Sequence, residues 1–208
     1  RQVLAGSGSA RQINAPAMVR YLLRYNSSAS EDTLFEGVRR VPPATFRSFE
    51  MRGAYYQEAS ERYWAPESPV SRPPATLAAA VEEFSCRFGA SIARCIPRSE
   101  FFVMMSGGLD STSIWSTYSK QISNCKGASS RGWPVSLTFP GSTADEKPLI
   151  ESVLRKTAAQ GVLLDASGAR FSQWIDRVSS ALDTPQFPTD YLLWVIYEYA
   201  ITRGWRVG

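Results

Sequence analysis

Phe101-Phe102-Val103-Met104-Met105-Ser106-Gly107-Gly108-Leu109-Asp110-Ser111-Thr112 passes from five apolar residues through two glycines into acidic and hydroxyl side chains. An apolar run this short reads as a strand buried on both faces. Downstream, Ile114, Trp115, Tyr118 and Ile122 recur at helical spacing. The glycines therefore occupy the turn from a buried strand into a helix, the place where open α/β sheets bind ligands. Gly107 and Gly108 are expected to supply positive φ, turning successive N–H groups inward as an anion nest. A helix starting near Ser111 adds unpaired N–H groups and the positive end of its dipole. The hydroxyls of Ser106, Ser111 and Thr112 are further donors to phosphate oxygens.

Asp110 is the odd member, because a carboxylate repels phosphate. It makes sense as a ligand for Mg²⁺ brought in by the phosphates, since that ion takes hard oxygen donors. The pattern G-x-x-x-x-G-K-[ST] is missing, so handling of a γ-phosphate by a P-loop lysine is not supported. The alternative reading is a tight Ser-Gly-Gly turn capping a helix. Five fixed positions coincide by chance about once in a million starts, and the strand-before, helix-after context is also met, which favours the functional reading.

Outward from this loop the pattern is repetitive. Thr76 is placed to cap a long helix with an apolar face of Leu77, Val81, Phe84, Phe88 and Ile92, ending before Pro97. After the loop helix, Val135 to Phe139 reads as a strand. Leu149, Ile150, Val153 and Leu154 mark a helix, and Val162-Leu163-Leu164 another strand. Further helices are expected near Phe171 to Leu182 and Asp190 to Arg203. Trp205-Arg206-Val207-Gly208 reads as a strand beginning. Strands alternating with helices define an α/β fold, a doubly wound parallel sheet.

The first third differs. Asn14 and Pro16 open a short helix with Met18, Tyr21, Leu22 and Tyr25 on one face, and Asn26 to Asp32 is a polar loop. Thr33 to Trp64 reads as β structure with a hairpin turn at Arg52-Gly53. Four prolines, Pro66, Pro69, Pro73 and Pro74, then mark a linker. The expected domains are residues 1–65 and 76–208, with the linker at 66–75. The chain opens on Arg1 rather than Met and is read as an internal fragment.

Composition excludes several classes. With 44% hydrophobic and 20% charged residues, the 208-residue chain is globular. Its net charge of +4 comes from scattered basic residues with no run of five, which argues against a nucleic-acid partner. No apolar run approaches the ~18 residues that span a bilayer. Cys86, Cys95 and Cys125 lack metal-ligand spacing, and Cys86 and Cys95 are expected to be small, buried and inert on their helix. A cytoplasmic location follows as the expectation. Histidine is absent, which removes Ser-His-Asp and Cys-His catalysis and a His base from this segment.

Ser106-Gly107-Gly108-Leu109-Asp110-Ser111 resembles the PP-loop of the N-type ATP pyrophosphatases, enzymes that cleave ATP between its α and β phosphates. Within that group, Thr33-Leu34-Phe35-Glu36-Gly37-Val38-Arg39-Arg40-Val41-Pro42-Pro43 and Arg62-Tyr63-Trp64 resemble the end of the amidotransferase domain of glutamine-hydrolysing asparagine synthetases. Thr76 to Asp110 resembles the opening of their synthetase domain. Val135 to Gly141 with Asp145-Glu146 resembles its second strand and the next helix. The resemblance implies an adenine-nucleotide α-hydrolase-like PP-loop domain after the β-rich tail of an amidotransferase domain. It implies that the Met105 backbone and Leu137 flank the nucleotide. Ser106, Gly107, Gly108 and Ser111, with Leu109 completing the loop, hold pyrophosphate, and Asp110 binds its Mg²⁺. Ser106 and Asp110 are the residues to which it gives catalytic roles. Leu137 reads equally well as an ordinary core residue.

The implied substrates are ATP, aspartate and glutamine or ammonia, and the implied product is asparagine. The family's N-terminal nucleophilic cysteine is not in this sequence, and its Gly-rich acidic motif would follow Arg206-Val207, so the fragment alone is expected to be inactive. Asp183, Pro185 and Asp190 read as loop and helix-cap residues. Two other readings stand beside this one. One is a related cyclase, forming a lasso-peptide macrolactam from a peptide substrate or a β-lactam, in which Tyr191, Trp194, Tyr197 and Tyr199 line a wider pocket, although their spacing suits a core equally well. The other is a non-catalytic nucleotide-binding scaffold.

Overall fold

A computed structural model describes residues 12–24, 31–65, 74–124, 131–182 and 188–207, and the chain divides into two compact units, Arg1–Pro73 and Pro74–Gly208. Tyr25, most of the polar loop after it, Cys125, Asp183, Pro185 and the linker residues 66–73 lie outside the described residues.

In the first unit, helix α1 (Ala15–Arg24) begins where the Asn14 Oδ1 accepts from the N–H of Ala17 at 3.2 Å. This is the N-cap arrangement its sequence predicts. Ala17 is buried, whereas Leu22 is 69% exposed and so leaves the expected apolar face. Strands β1 (Thr45–Arg52) and β2 (Tyr55–Arg62) form an antiparallel hairpin in full register from Thr45↔Arg62 to Arg52↔Tyr55. The turn is Gly53-Ala54, one residue beyond the expected position, with Gly53 at φ +68°. A two-residue hairpin loop calls for that left-handed conformation. Residues 33–44 are turns and isolated bridges (Ile13↔Phe35, Asp32↔Arg39) rather than a strand. Pro42-Pro43 lacks two N–H donors and cannot extend a ladder. Arg47 ties this region together, reaching Glu31 at 2.7 Å and Glu58 at 3.2 Å. Tyr63 and Trp64 are 68% and 60% exposed.

The second unit is an α/β layer structure. Helix α2 (Leu77–Cys95) starts at Thr76, whose Oγ1 accepts from Ala79 N at 3.2 Å. Strand β3 (Phe101–Met104) leads to α3 (Leu109–Asn124), β4 (Gly132–Thr138), α4 (Lys147–Lys156) and β5 (Val162–Asp165). A single 3₁₀ turn at Phe171–Gln173 precedes α5 (Ile175–Leu182), then α6 (Pro188–Thr202) and β6 (Arg206–Val207). The strands pair in the order β5-β4-β3-β6, all parallel.

Side-chain alternation along β3 builds two cores. Phe101, Val103 and Met105 pack with Ile92, Trp115, Tyr118 and Ile150, from α2, α3 and α4. Phe102 and Met104 pack with Val135, Ile196 and Ala200, on the side of α6. Parallel crossovers in one direction share a hand and so a face, and reversing direction moves the helix to the other face. The apolar five-residue run of β3 is the direct consequence of burial on both sides.

Two expectations for α2 fail. Leu77, Val81 and Phe84 are 82%, 56% and 66% exposed, Phe88 stacks on Phe84, and Ile92, with Ile96 just past the helix, meets the core. Cys86 and Cys95 are exposed free thiols rather than buried ones. The aromatic residues of α6 are packing groups: Tyr191 is buried beside Trp174, and Tyr197 meets Phe102 edge-on at 6.2 Å. Tyr199 lies against Trp205 at 5.8 Å.

Phe102→Ala, which empties a site 1% exposed, is expected to lower stability by about 3–5 kcal/mol, against about 1 kcal/mol for the cap variant Thr76→Ala, both read by urea denaturation. Burial raises the pKa of the Tyr118 phenol above its ordinary 10.0, against the hydrogen bond it accepts from Gly132 N at 2.6 Å. Its folded pKa being the higher one, the stability it contributes is complete below pH 10 and is lost as pH rises through the raised value. Tyr118→Phe is expected to flatten that alkaline loss in a pH series of unfolding curves.

Candidate functional site

The loop between β3 and α3 leaves the sheet at the carboxyl end of β3, where the strand order turns back from β4 to β6. In open parallel sheets this is the ligand-binding crevice. Met105, the last apolar residue, is 3% exposed, and its N–H donates to the Val135 carbonyl at 2.9 Å. Its side chain is thus fixed in the core while its backbone carries the chain out to Ser106.

From Ser106 the chain closes on itself through hydroxyls. The Ser111 Oγ accepts from Ser106 N at 3.1 Å and lies 3.0 Å from the Ser106 Oγ. The Ser106 Oγ in turn accepts from Gly108 N at 3.2 Å. Thr112 Oγ1 donates to the Gly108 carbonyl at 2.8 Å. Helix α3 begins at Leu109, two residues earlier than its sequence suggests, so Asp110 lies in its first turn. There a carboxylate is favoured by the helix dipole, and the N–H groups have no intrahelical partner. Ser106, Gly108, Leu109 and Asp110 are all exposed. Among the described residues Asp110 has no ion-pair or hydrogen-bond partner.

The glycines are needed for a different reason from the one expected. Neither Gly107 nor Gly108 has positive φ. A Cβ on Gly107 would sit 3.0 Å from the Cβ atoms of both Glu146 and Leu149. Glycine is favoured there because the start of α4 lies close against the loop, and a Cβ would need its neighbours to give by a few tenths of an ångström. At Gly108 a Cβ would lie 3.2 Å from the Ser106 Oγ, the atom that receives its own N–H.

Glu146 is the residue that sequence reasoning left out of the site. Its Oε2 accepts from Gly107 N at 3.0 Å. The neighbouring Asp145 Oδ1 accepts from Phe139 N and Lys147 N, each at 3.2 Å, and so ties the end of β4 to the start of α4. The signal available was positional: Asp145-Glu146 follows the strand adjacent to β3, and both strands release their chains at the same edge. Leu137, expected beside the nucleotide, is half-buried and packs in the cluster of Phe102, Val135 and Ile196. It lies outside the hydroxyl network. The side chain of Asp190 lies outside the described residues.

Chemically, the loop concentrates N–H and hydroxyl donors, with carboxylates at its rim. Mg²⁺ commonly uses one or two carboxylates together with substrate phosphates, and the single exposed carboxylate of Asp110 fits that mode. Among the described residues no group of three or more His, Cys, Asp or Glu side chains could hold a metal by itself. Cavities lie elsewhere among the described residues. One of about 380 Å³ is lined by Trp115, Tyr118, Arg131 and Trp133 near the amino end of β4. Another, about 320 Å³ and apolar, lies between α2, α3 and β3. Among the described residues no helix is long and apolar enough to cross a membrane.

Fold and site together define an α/β protein with a donor-rich loop at the carboxyl edge of a parallel sheet. Residues 86–207, which run from mid-α2 through β6 and include the whole loop, match the family model described as asparagine synthase. The chain therefore belongs to the asparagine synthase family, a family of ATP-using ligases. A search of curated proteins returns no match.

Gly107→Ala is expected to displace the start of α4 or the loop and to cost about 1–3 kcal/mol, as over-packing does, read by thermal unfolding. Ser111→Ala, which removes the hydroxyl that binds Ser106, is expected to shift the backbone amide resonance of Ser106 while leaving that of Gly132, at the opposite end of the sheet, in place.

Proposed function

We propose that the β3–α3 loop binds the pyrophosphate part of ATP in an enzyme that adenylates the side-chain carboxylate of aspartate. The observation that carries this reading is the loop itself, with Ser106, Gly107, Gly108, Leu109, Asp110 and Ser111 in sequence at the carboxyl end of β3, inside the region matched to the family. On this reading the sheet is a doubly wound PP-loop domain, and residues 1–65 are the tail of a glutamine amidotransferase domain. A carboxylate oxygen of aspartate attacks the α-phosphorus, the bond to pyrophosphate breaks, and ammonia from glutamine then displaces AMP to leave asparagine.

The chain's own groups act by positioning and by stabilising charge. Ser106 and Ser111 exchange their mutual hydrogen bond for phosphate oxygens, and the first-turn N–H groups of α3 face the same charge. The Met105 backbone and Leu137 flank the nucleotide. Asp110 holds Mg²⁺, which when bound neutralises charge on the pyrophosphate. A neutral ammonia needs no histidine base, consistent with a chain that contains none.

The cyclase reading shares the same adenylation and differs in the acceptor. Tyr191 is buried beside Trp174 and Tyr197 packs against Phe102, which supports the core reading of these residues, and asparagine formation is the reading preferred here.

The test is product analysis of the protein from the completed reading frame after incubation with MgATP, aspartate and ammonium or glutamine. AMP and pyrophosphate should appear together with asparagine, and Asp110→Ala should lower the rate by about a hundredfold or more. ADP as the nucleotide product would contradict α/β cleavage. AMP release that requires a peptide in place of aspartate would favour the cyclase.

A further inference from the structure

Three features set Glu146 apart from an ordinary surface carboxylate. It is the N-cap residue of α4, yet its side chain makes no capping bond to its own helix. That task falls to Asp145, which accepts from Lys147 N. The Glu146 carboxylate turns instead to another element and accepts the Gly107 N–H at 3.0 Å. Finally, a Cβ on Gly107 would lie 3.0 Å from both Glu146 Cβ and Leu149 Cβ, so the close approach that accompanies this bond favours a glycine.

A carboxylate oxygen and a phosphate oxygen make the same demand on a backbone N–H: a short, charge-assisted hydrogen bond. We propose that Glu146 stands in for a phosphate oxygen on Gly107 in the ligand-free loop, and that a pyrophosphate-bearing ligand binds by displacing it. This rests on the reading of the loop as a pyrophosphate site and adds a residue that sets the affinity and cation dependence of that site. The carboxylate keeps the Gly107 N–H bonded while the loop is empty. Once displaced, it remains beside the incoming anion as a second negative charge. Binding without a cation is therefore weakened by like-charge repulsion, and a cation between the groups relieves it. Glu146 is thus a positioning residue that biases the loop toward cation-complexed ligands over bare anions.

The test titrates inorganic pyrophosphate into the unaltered protein, Glu146→Gln and Glu146→Ala by calorimetry, with and without saturating Mg²⁺. Without cation, both variants should bind about three- to tenfold more tightly than the unaltered protein, the size of one exposed charge contact. With Mg²⁺ the difference should shrink. A purely structural role would not produce that cation-dependent split. Equal or weaker pyrophosphate binding by Glu146→Gln without cation, while the unaltered protein binds, would overturn the proposal and leave the loop reading standing. No pyrophosphate binding by any of the three proteins, with or without Mg²⁺, would overturn the loop reading itself. An independent check needs no variant: the side-chain carboxylate ¹³C resonance of Glu146 should move when pyrophosphate is added to the unaltered protein, and a resonance that stays fixed at saturation would contradict displacement.

Discussion

A parallel strand with neighbours on both sides and apolar layers on both faces can present unsatisfied backbone groups only at its ends. β3 is that strand here. It pairs with β4 on one side and β6 on the other, and its five apolar residues alternate between two cores. The constraint is strict. Phe101, Val103 and Met105 must face α3 and α4, Phe102 and Met104 must face α6, and a slip of one residue would exchange the two sets. With the register held in this way, Ser106 is the first residue free to leave the sheet. Its position at the carboxyl edge, where the strand order reverses, follows from packing and needs no property of the loop.

The loop adds local chemistry to that placement. Its serines bind each other, its first glycine is pressed by α4, and its aspartate sits in the first turn of α3. Each part is anchored to a different element: Met105 to β4, Gly107 to α4, Ser111 to α3. Three anchors hold a short exposed loop in one shape, the preorganisation a phosphate site requires. Carboxylates at the rim oppose a bare anion but suit one accompanied by a cation, which is the electrostatic basis of the roles proposed for Asp110 and Glu146.

Much of the second unit could be read from the sequence because buried parallel strands and amphipathic helices leave plain periodic signals. β3, the N-cap at Thr76 and the alternation of strands with helices are of this kind. Features that depend on residues distant in sequence were not readable. Gly107 reads as a source of positive φ, and only the approach of Glu146 and Leu149, the latter 42 positions away, shows why a Cβ is crowded there. Glu146 lay beside a quoted motif but reaches the loop only through the pairing of β3 with β4. On α2, periodicity marks an apolar stripe, yet periodicity cannot tell which part of a stripe meets the core: Ile92 does, while Leu77, Val81 and Phe84 are exposed. In the first unit, Pro42-Pro43 ended β structure that composition alone extended back to Thr33.

The central claim is that phosphate is received by the loop at the carboxyl edge of β3. The most direct measurement is a titration of MgATP into ¹⁵N-labelled protein, following backbone amide resonances. The account predicts that the largest shifts fall on Gly107, Gly108 and the first turn of α3, with Gly132 at the amino end of β4 undisturbed. Shifts centred on Gly132 and its cavity, with the loop amides unmoved at saturation, would contradict it.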